Sequence, residues 1–252
     1  MVLIVTSLEK QEQAASSGII HYPEVKAPVR GMTYVDEFLR TTLNNADTPL
    51  LYTVAVNGAG GSAVIRSARD ALLLTTDATA GNDVGVVTSG MTFKRTGIIN
   101  DMDDRSQMVF DMLLSIGTAT STELFVGLYN AAATVLSTLP TTQTHMGILL
   151  DQSASNNFFI TSSDGTTQTT TDTDFAATTT SYLRLKITWN GLNSATIVFS
   201  TFDSFLTTET VRKTVTVSAL GNVDEYVLNW FVQTETIAAR TLNCFSWKCA
   251  VT

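Results

Sequence analysis

The chain has 252 residues, 15 of them Lys or Arg and 23 Asp or Glu, for a net charge of -8 and an isoelectric point of about 4.7. Binding to a phosphate backbone needs a basic face that displaces counterions, so nucleic acid is excluded as a partner. Only 15% of the residues are charged, which leaves Thr, Ser, Asn and Gln to make most of the surface, and the length suits one large core in a single all-β domain.

The start, MVLIVTSLEKQ, has a short apolar run with no basic residue before it and no small-residue cleavage site, so it does not read as a signal peptide. A polar stretch, EKQEQAASSG, and the proline-spaced IIHYPEVKAPVRG follow. Residues 1–31 cannot bury enough area to offset their own ordering entropy. They are expected to form an N-terminal arm, either disordered or ordered by a neighbour, ahead of a sandwich at residues 32–252. No apolar run approaches the roughly 20 residues needed to cross a membrane, so no membrane partner is expected.

Strand-like runs then succeed one another at 50–56, 62–66, 71–76, 84–88, 91–95, 107–116, 123–129, 146–150 and 156–161. Two windows have some helical character, SAVIRSARDALLL and the short stretch 131–137, but strand and loop readings fit their context better. The Thr-rich segment 161–181 reads as a hairpin turn at Asp164-Gly165 between exposed strands, or as a plain surface loop. Next comes the clearest pattern in the chain, SYLRLKITWNGLNSATIVFSTFD. Leu183, Leu185, Ile187 and Trp189 alternate with Arg184, Lys186 and Thr188, the run breaks at Asn190-Gly191, and Ile197 and Phe199 continue the apolar face on a return strand. Further strands are expected at 211–218, 225–235 and 242–251. More than ten short strands without a sustained 3.6-residue period imply two packed antiparallel sheets.

Residues with chemical potential are few. Gly58, Gly60 and Gly61 follow a strand, but a third phosphate-binding glycine is missing and a hairpin turn is the better reading. Asp101, Asp103 and Asp104 make an acidic loop without the rest of a calcium-binding set, and Asp172 and Asp174 are alike. Glycoside hydrolysis needs two carboxylates about 5–10 Å apart, yet Asp224, Glu225 and Glu235 offer no alternating acidic set on one strand. His21 and His145 are the only histidines; without a nucleophile elbow or a second ligand nearby both read as surface residues. Cys244 and Cys249, about 16 Å apart on an extended chain, exceed the disulfide limit of about 7 Å and read as free thiols. Tyr226, Trp230, Phe231, Trp189 and Trp247 should be mostly core. Trp230 and Phe231 are adjacent and must face opposite ways, so one is either exposed as a contact surface or covered by another layer. No catalytic, cofactor-binding or metal-ligating residue is assigned.

Taken in order, YVDEFLR, GGSAVIRSARDALLLTTDATAGNDVGV, FDMLLSI, ELFVGLYNA, MGILLD and YLRLKITWNG resemble the concanavalin A-like (laminin G-like) jelly-roll domains of tailed-phage virion proteins. That resemblance implies an all-β, two-sheet antiparallel jelly-roll sandwich and a non-enzymatic structural protein. The expected role is capsid decoration, a homo-oligomer anchored by its arm on the major capsid protein or on neighbouring copies in the virion. The alternative it implies is a carbohydrate-binding module of a head fibre or tail device, with a glycan as partner, using the Thr-rich segment and an exposed aromatic.

Overall fold

The computed structural model describes residues 2–5, 32–36, 38, 52–66, 71–88, 93–94, 107–130, 135–190, 193–218, 220 and 225–251. Seventeen strands, numbered in chain order, occur among them. One sheet runs β1 (Val2–Val5), β2 (Met32–Asp36), β17 (Thr241–Val251), β8 (Met108–Ile116), β13 (Tyr182–Trp189), β14 (Ala195–Phe202) and β15 (Glu209–Val217). Along its first half the long β17 also pairs with β5 (Ala71–Thr75), which carries β4 (Ser62–Arg66). The second sheet runs β12 (Gln168–Ala176), β11 (Asn157–Ser163), β10 (His145–Asp151), β9 (Thr122–Asn130), β16 (Glu225–Thr234), β6 (Asp83–Thr88) and β3 (Tyr52–Val56), with β7 (Phe93–Lys94) beside β16. Every described pairing is antiparallel. The fold is the expected two-sheet jelly-roll sandwich.

Alternation decides which face is buried. On β13, Leu183, Leu185, Ile187 and Trp189 are fully buried, and in-register neighbours on β8 and β14 (Phe110, Met112 and Leu114; Ile197 and Phe199) lie in the same core. Each such side chain contributes about 1.5–3 kcal/mol through burial. The opposite face is solvated and holds a charge cluster in which Arg184 donates to Asp111 and Glu209, at 2.5 and 2.8 Å. Deep in the core, Trp247 Nε1 donates to the Tyr52 hydroxyl (2.7 Å), which donates in turn to the buried carboxylate of Asp36 (2.6 Å). These two bonds tie β17, β3 and β2 together across the two sheets.

Strands β6, β9, β10 and β16 are buried on both faces. Their inner side chains meet the main core, whereas Phe125, Tyr129 and Phe231 form a second cluster with Leu136 and Leu139 of the β9–β10 loop. Gly85 lies under that loop. A Cβ there would sit 2.8 Å from the Leu136 carbonyl oxygen and would also strike Val135, so only glycine lets the loop descend this far.

SAVIR and ALLLT are strands, and 164–167 is the turn of a β11–β12 hairpin. Trp230 and Phe231 face opposite ways and both are fully buried, so neither is a contact surface; the β9–β10 loop is the additional layer. The turn at Gly58–Gly61 does not close a hairpin. Since β3 pairs with β6 and β4 with β5, it carries the chain from one sheet to the other. Val2–Val5 extends the chain's own first sheet by pairing with β2. The rest of residues 1–31, His21 included, lies outside the described residues, as do Asp101, Asp103, Asp104 and Asp224.

Candidate functional site

The inner face of the second sheet changes chemistry at its edge. Phe158 and Ile160 of β11 are core, but the next inward position is Ser162, whose partner on β12 is Thr169; Ile160 likewise pairs with Thr171. Hydroxyls therefore stand where apolar side chains would have closed the sandwich. Opposite them is the edge strand of the other sheet, β15, where Val215 and Val217 pack on the core margin. The result is a cleft of about 400 Å³ between the two sheet edges. Ser162, Ser163, Asp164, Thr167 and Thr169 form one wall, and Val215, Thr216, Val217 and Ser218 form the other.

The hairpin wall is held in place from behind. Asp164 Oδ1 accepts from the Thr166 amide (2.8 Å), the Thr167 amide (2.7 Å) and the Thr166 hydroxyl (2.7 Å). These bonds, the Thr167 amide foremost, hold its carboxyl below the usual range, so it is ionised at neutral pH. Gly165, at φ +96°, supplies the left-handed turn position and donates to Ser163 Oγ, which itself donates to the Thr142 carbonyl at 3.3 Å. Gln168 Nε2 donates to the Pro140 carbonyl and to the Thr161 hydroxyl, at 3.0 and 3.1 Å.

His145 completes this support. It is fully buried, edge-on to Phe125, with Nδ1 at 2.7 Å from the Gln143 carbonyl and Nε2 at 3.0 Å from the Thr161 hydroxyl. The carbonyl requires the proton on Nδ1, which makes Nε2 the acceptor from Thr161. Burial pushes its pKa down to about 4, so the ring is neutral. The surface histidine expected from sequence is thus a core residue that joins the β9–β10 loop to β11.

At the opposite end of the sandwich three carboxylates converge. Glu123 opens β9, Asp151 ends β10 in register with it, and Glu235 follows the end of β16. One oxygen from each lies within 4.8 Å of the others. Burial, then the hydrogen bond and charge of Glu235, then the charge of Asp151 push the pKa of Glu123 up to about 7. Three carboxylates could take a hard cation, though they supply only part of the six to eight oxygens calcium needs. No spacing of two along one strand marks this group, because its members come from three neighbouring strands. The acids of the Thr-rich segment do not converge: Asp172 accepts from Asn157 Nδ2 at 3.0 Å, and Asp174 pairs with Lys213 at 3.4 Å. Glu225 opens β16 at the far end from Glu235. Cys244 and Cys249 are free and buried, and desolvation raises both thiols far above the reactive range.

Among the described residues the aromatics do not form a platform. Trp189, Tyr226, Trp230 and Trp247 are in the main core, and the most exposed described aromatic, Phe205 (82%), sits on the β14–β15 turn at the other end of β15 from the cleft. The sequence signal for the cleft was the Thr-rich segment itself, whose threonines occupy inward as well as outward positions.

No protein-family model and no curated protein sequence matches the chain. Solved structures do. Lectin II from Ulex europaeus superposes with a TM-score of 0.60 at 11% identity, covering 89% of this chain and 100% of the lectin. A protein of unknown function from Shewanella oneidensis MR-1 gives 0.57 at 8% identity, covering 100% and 96%. The CBM2 module of the evolved Dit of Lactobacillus casei BL23 phage J-1 gives 0.52 at 14% identity, covering 88% and 98%. At these identities the likeness shows the fold, a lectin-like, concanavalin A-type jelly roll.

Proposed function

We propose that the chain is a non-enzymatic carbohydrate-binding module and that its ligand occupies the cleft between β12 and β15. The observation that carries this reading is the lining. Serine and threonine hydroxyls and one ionised carboxylate meet the hydroxyl groups of a sugar, while Val215 and Val217 provide a small apolar floor for its C–H face. Hairpin and β9–β10 loop are tied together before any ligand arrives, which lowers the ordering cost of binding. The shared fold with lectins and with a phage module bearing the name of a carbohydrate-binding family supports it. Thr169→Phe would fill the cleft from an exposed inner-lip position. The variant should melt with the parent and lose at least about tenfold in affinity on a glycan array, a cost of about 1.4 kcal/mol. Undiminished binding by that variant would sink the assignment of this cleft.

A second reading concerns where the module works. The phage J-1 neighbour supports placement on a virion, as a decoration or adsorption protein held on capsid subunits or neighbouring copies through residues 1–31. Deleting those residues should abolish incorporation into particles and leave glycan binding intact. Normal occupancy by the truncated chain would refute the anchoring role.

A further inference from the structure

We propose, on the basis of the glycan-binding reading above, that the cleft accepts neutral or amine-bearing sugars and rejects those carrying a carboxylate or sulfate. Asp164 is the one charged residue among the described residues lining it. All three bonds that fix its carboxylate fall on Oδ1, leaving Oδ2 to accept from a ligand hydroxyl or ammonium. The cations closest along β15 are committed elsewhere. Arg212 lies 4.7 Å over the Phe175 ring and donates to the Thr201 hydroxyl, and Lys213 pairs with Asp174. An acidic sugar would therefore bring a second negative charge beside Asp164 with no cation among the described lining residues to neutralise it. Asp164 is exposed, and two like charges at about 4–5 Å in water repel enough at low salt to weaken binding about fivefold.

The test is titration calorimetry on the full chain with paired probes: oligomers of galactose against galacturonate, and N-acetyllactosamine with and without terminal sialic acid. At low salt the neutral member of a pair should bind about fivefold tighter, with the gap shrinking at high salt as screening takes effect. Asp164→Asn keeps the Oδ1 acceptor and hence the turn. It should close most of the gap, and the acidic probe itself should gain affinity, even though the neutral probe loses the Oδ2 acceptor. Equal or tighter binding of the acidic members, or a gap that Asp164→Asn leaves unchanged, overturns the selectivity while leaving glycan binding in place. Failure of every probe, with parent and Thr169→Phe equally inert, overturns the glycan-binding function and the selectivity with it.

Discussion

His145 and Glu123 are pushed in opposite directions by their surroundings, with consequences for stability that can be separated. His145 has a folded pKa near 4, below its ordinary 6.5, so the unfolded chain takes up its proton first on acidification. Its contribution is complete above pH 6.5 and is lost as the pH falls toward 4, at a cost of about 2–3 kcal/mol. Glu123 has a folded pKa near 7, above its ordinary 4.5, so its contribution is complete below 4.5 and is lost as the pH rises through 7. Because Glu123 is only half buried, solvent screening reduces that effect to about 1 kcal/mol. Between pH 4.5 and 6.5 the two slopes oppose one another. Glu123→Gln removes the second, so its melting temperature should exceed the parent's above pH 7 and fall more steeply on acidification. Thermal melts from pH 4 to 9 that run parallel for the two proteins would contradict this origin. Neither shift was legible in the sequence: His145 looked like a surface residue beside a Thr-rich loop, and Glu123 like the polar start of a strand.

At the level of elements, the β9–β10 loop covers the outer face of the second sheet and braces the cleft. Its contacts with β12, β11 and β10 run through Pro140, Thr142 and Gln143 respectively, and its fit over β6 depends on Gly85. Gly85→Val should lift the loop and destabilise the fold by about 1–3 kcal/mol. Hydrogen exchange at 135–144 should rise and glycan affinity should fall although the substitution is outside the cleft. Unaltered exchange there would show that the loop does not need this approach. The strands themselves were legible because alternation repeats at every residue of a half-buried strand; β13 follows it from Leu183 to Trp189. Adjacent Trp230 and Phe231 showed that β16 has a large aromatic on each face, but not whether the second face is exposed or covered. The covering loop was not legible, since it has no periodicity and its anchor is one glycine distant in sequence.

For the molecule as a whole, topology makes the N-terminal strand separable. Val2–Val5 is the terminal strand of its sheet, outside β2, so its removal exposes one edge and leaves the core strands paired. Truncation is therefore expected to affect assembly rather than folding. The amino-acid order by itself determined the architecture: many short alternating segments with turn residues between them have few ways to bury their apolar faces other than two stacked antiparallel sheets. It also set the acidic, hydroxyl-rich surface and the free cysteines. Only the tertiary structure decided which chemistry meets. Strand pairing brings Glu123, Asp151 and Glu235 within 4.8 Å of one another, and the meeting of two sheet edges sets Asp164 and Thr169 across from Val217. Periodicity is a local property of each strand, whereas a site made from several strands depends on long-range register and closure, which no local pattern records.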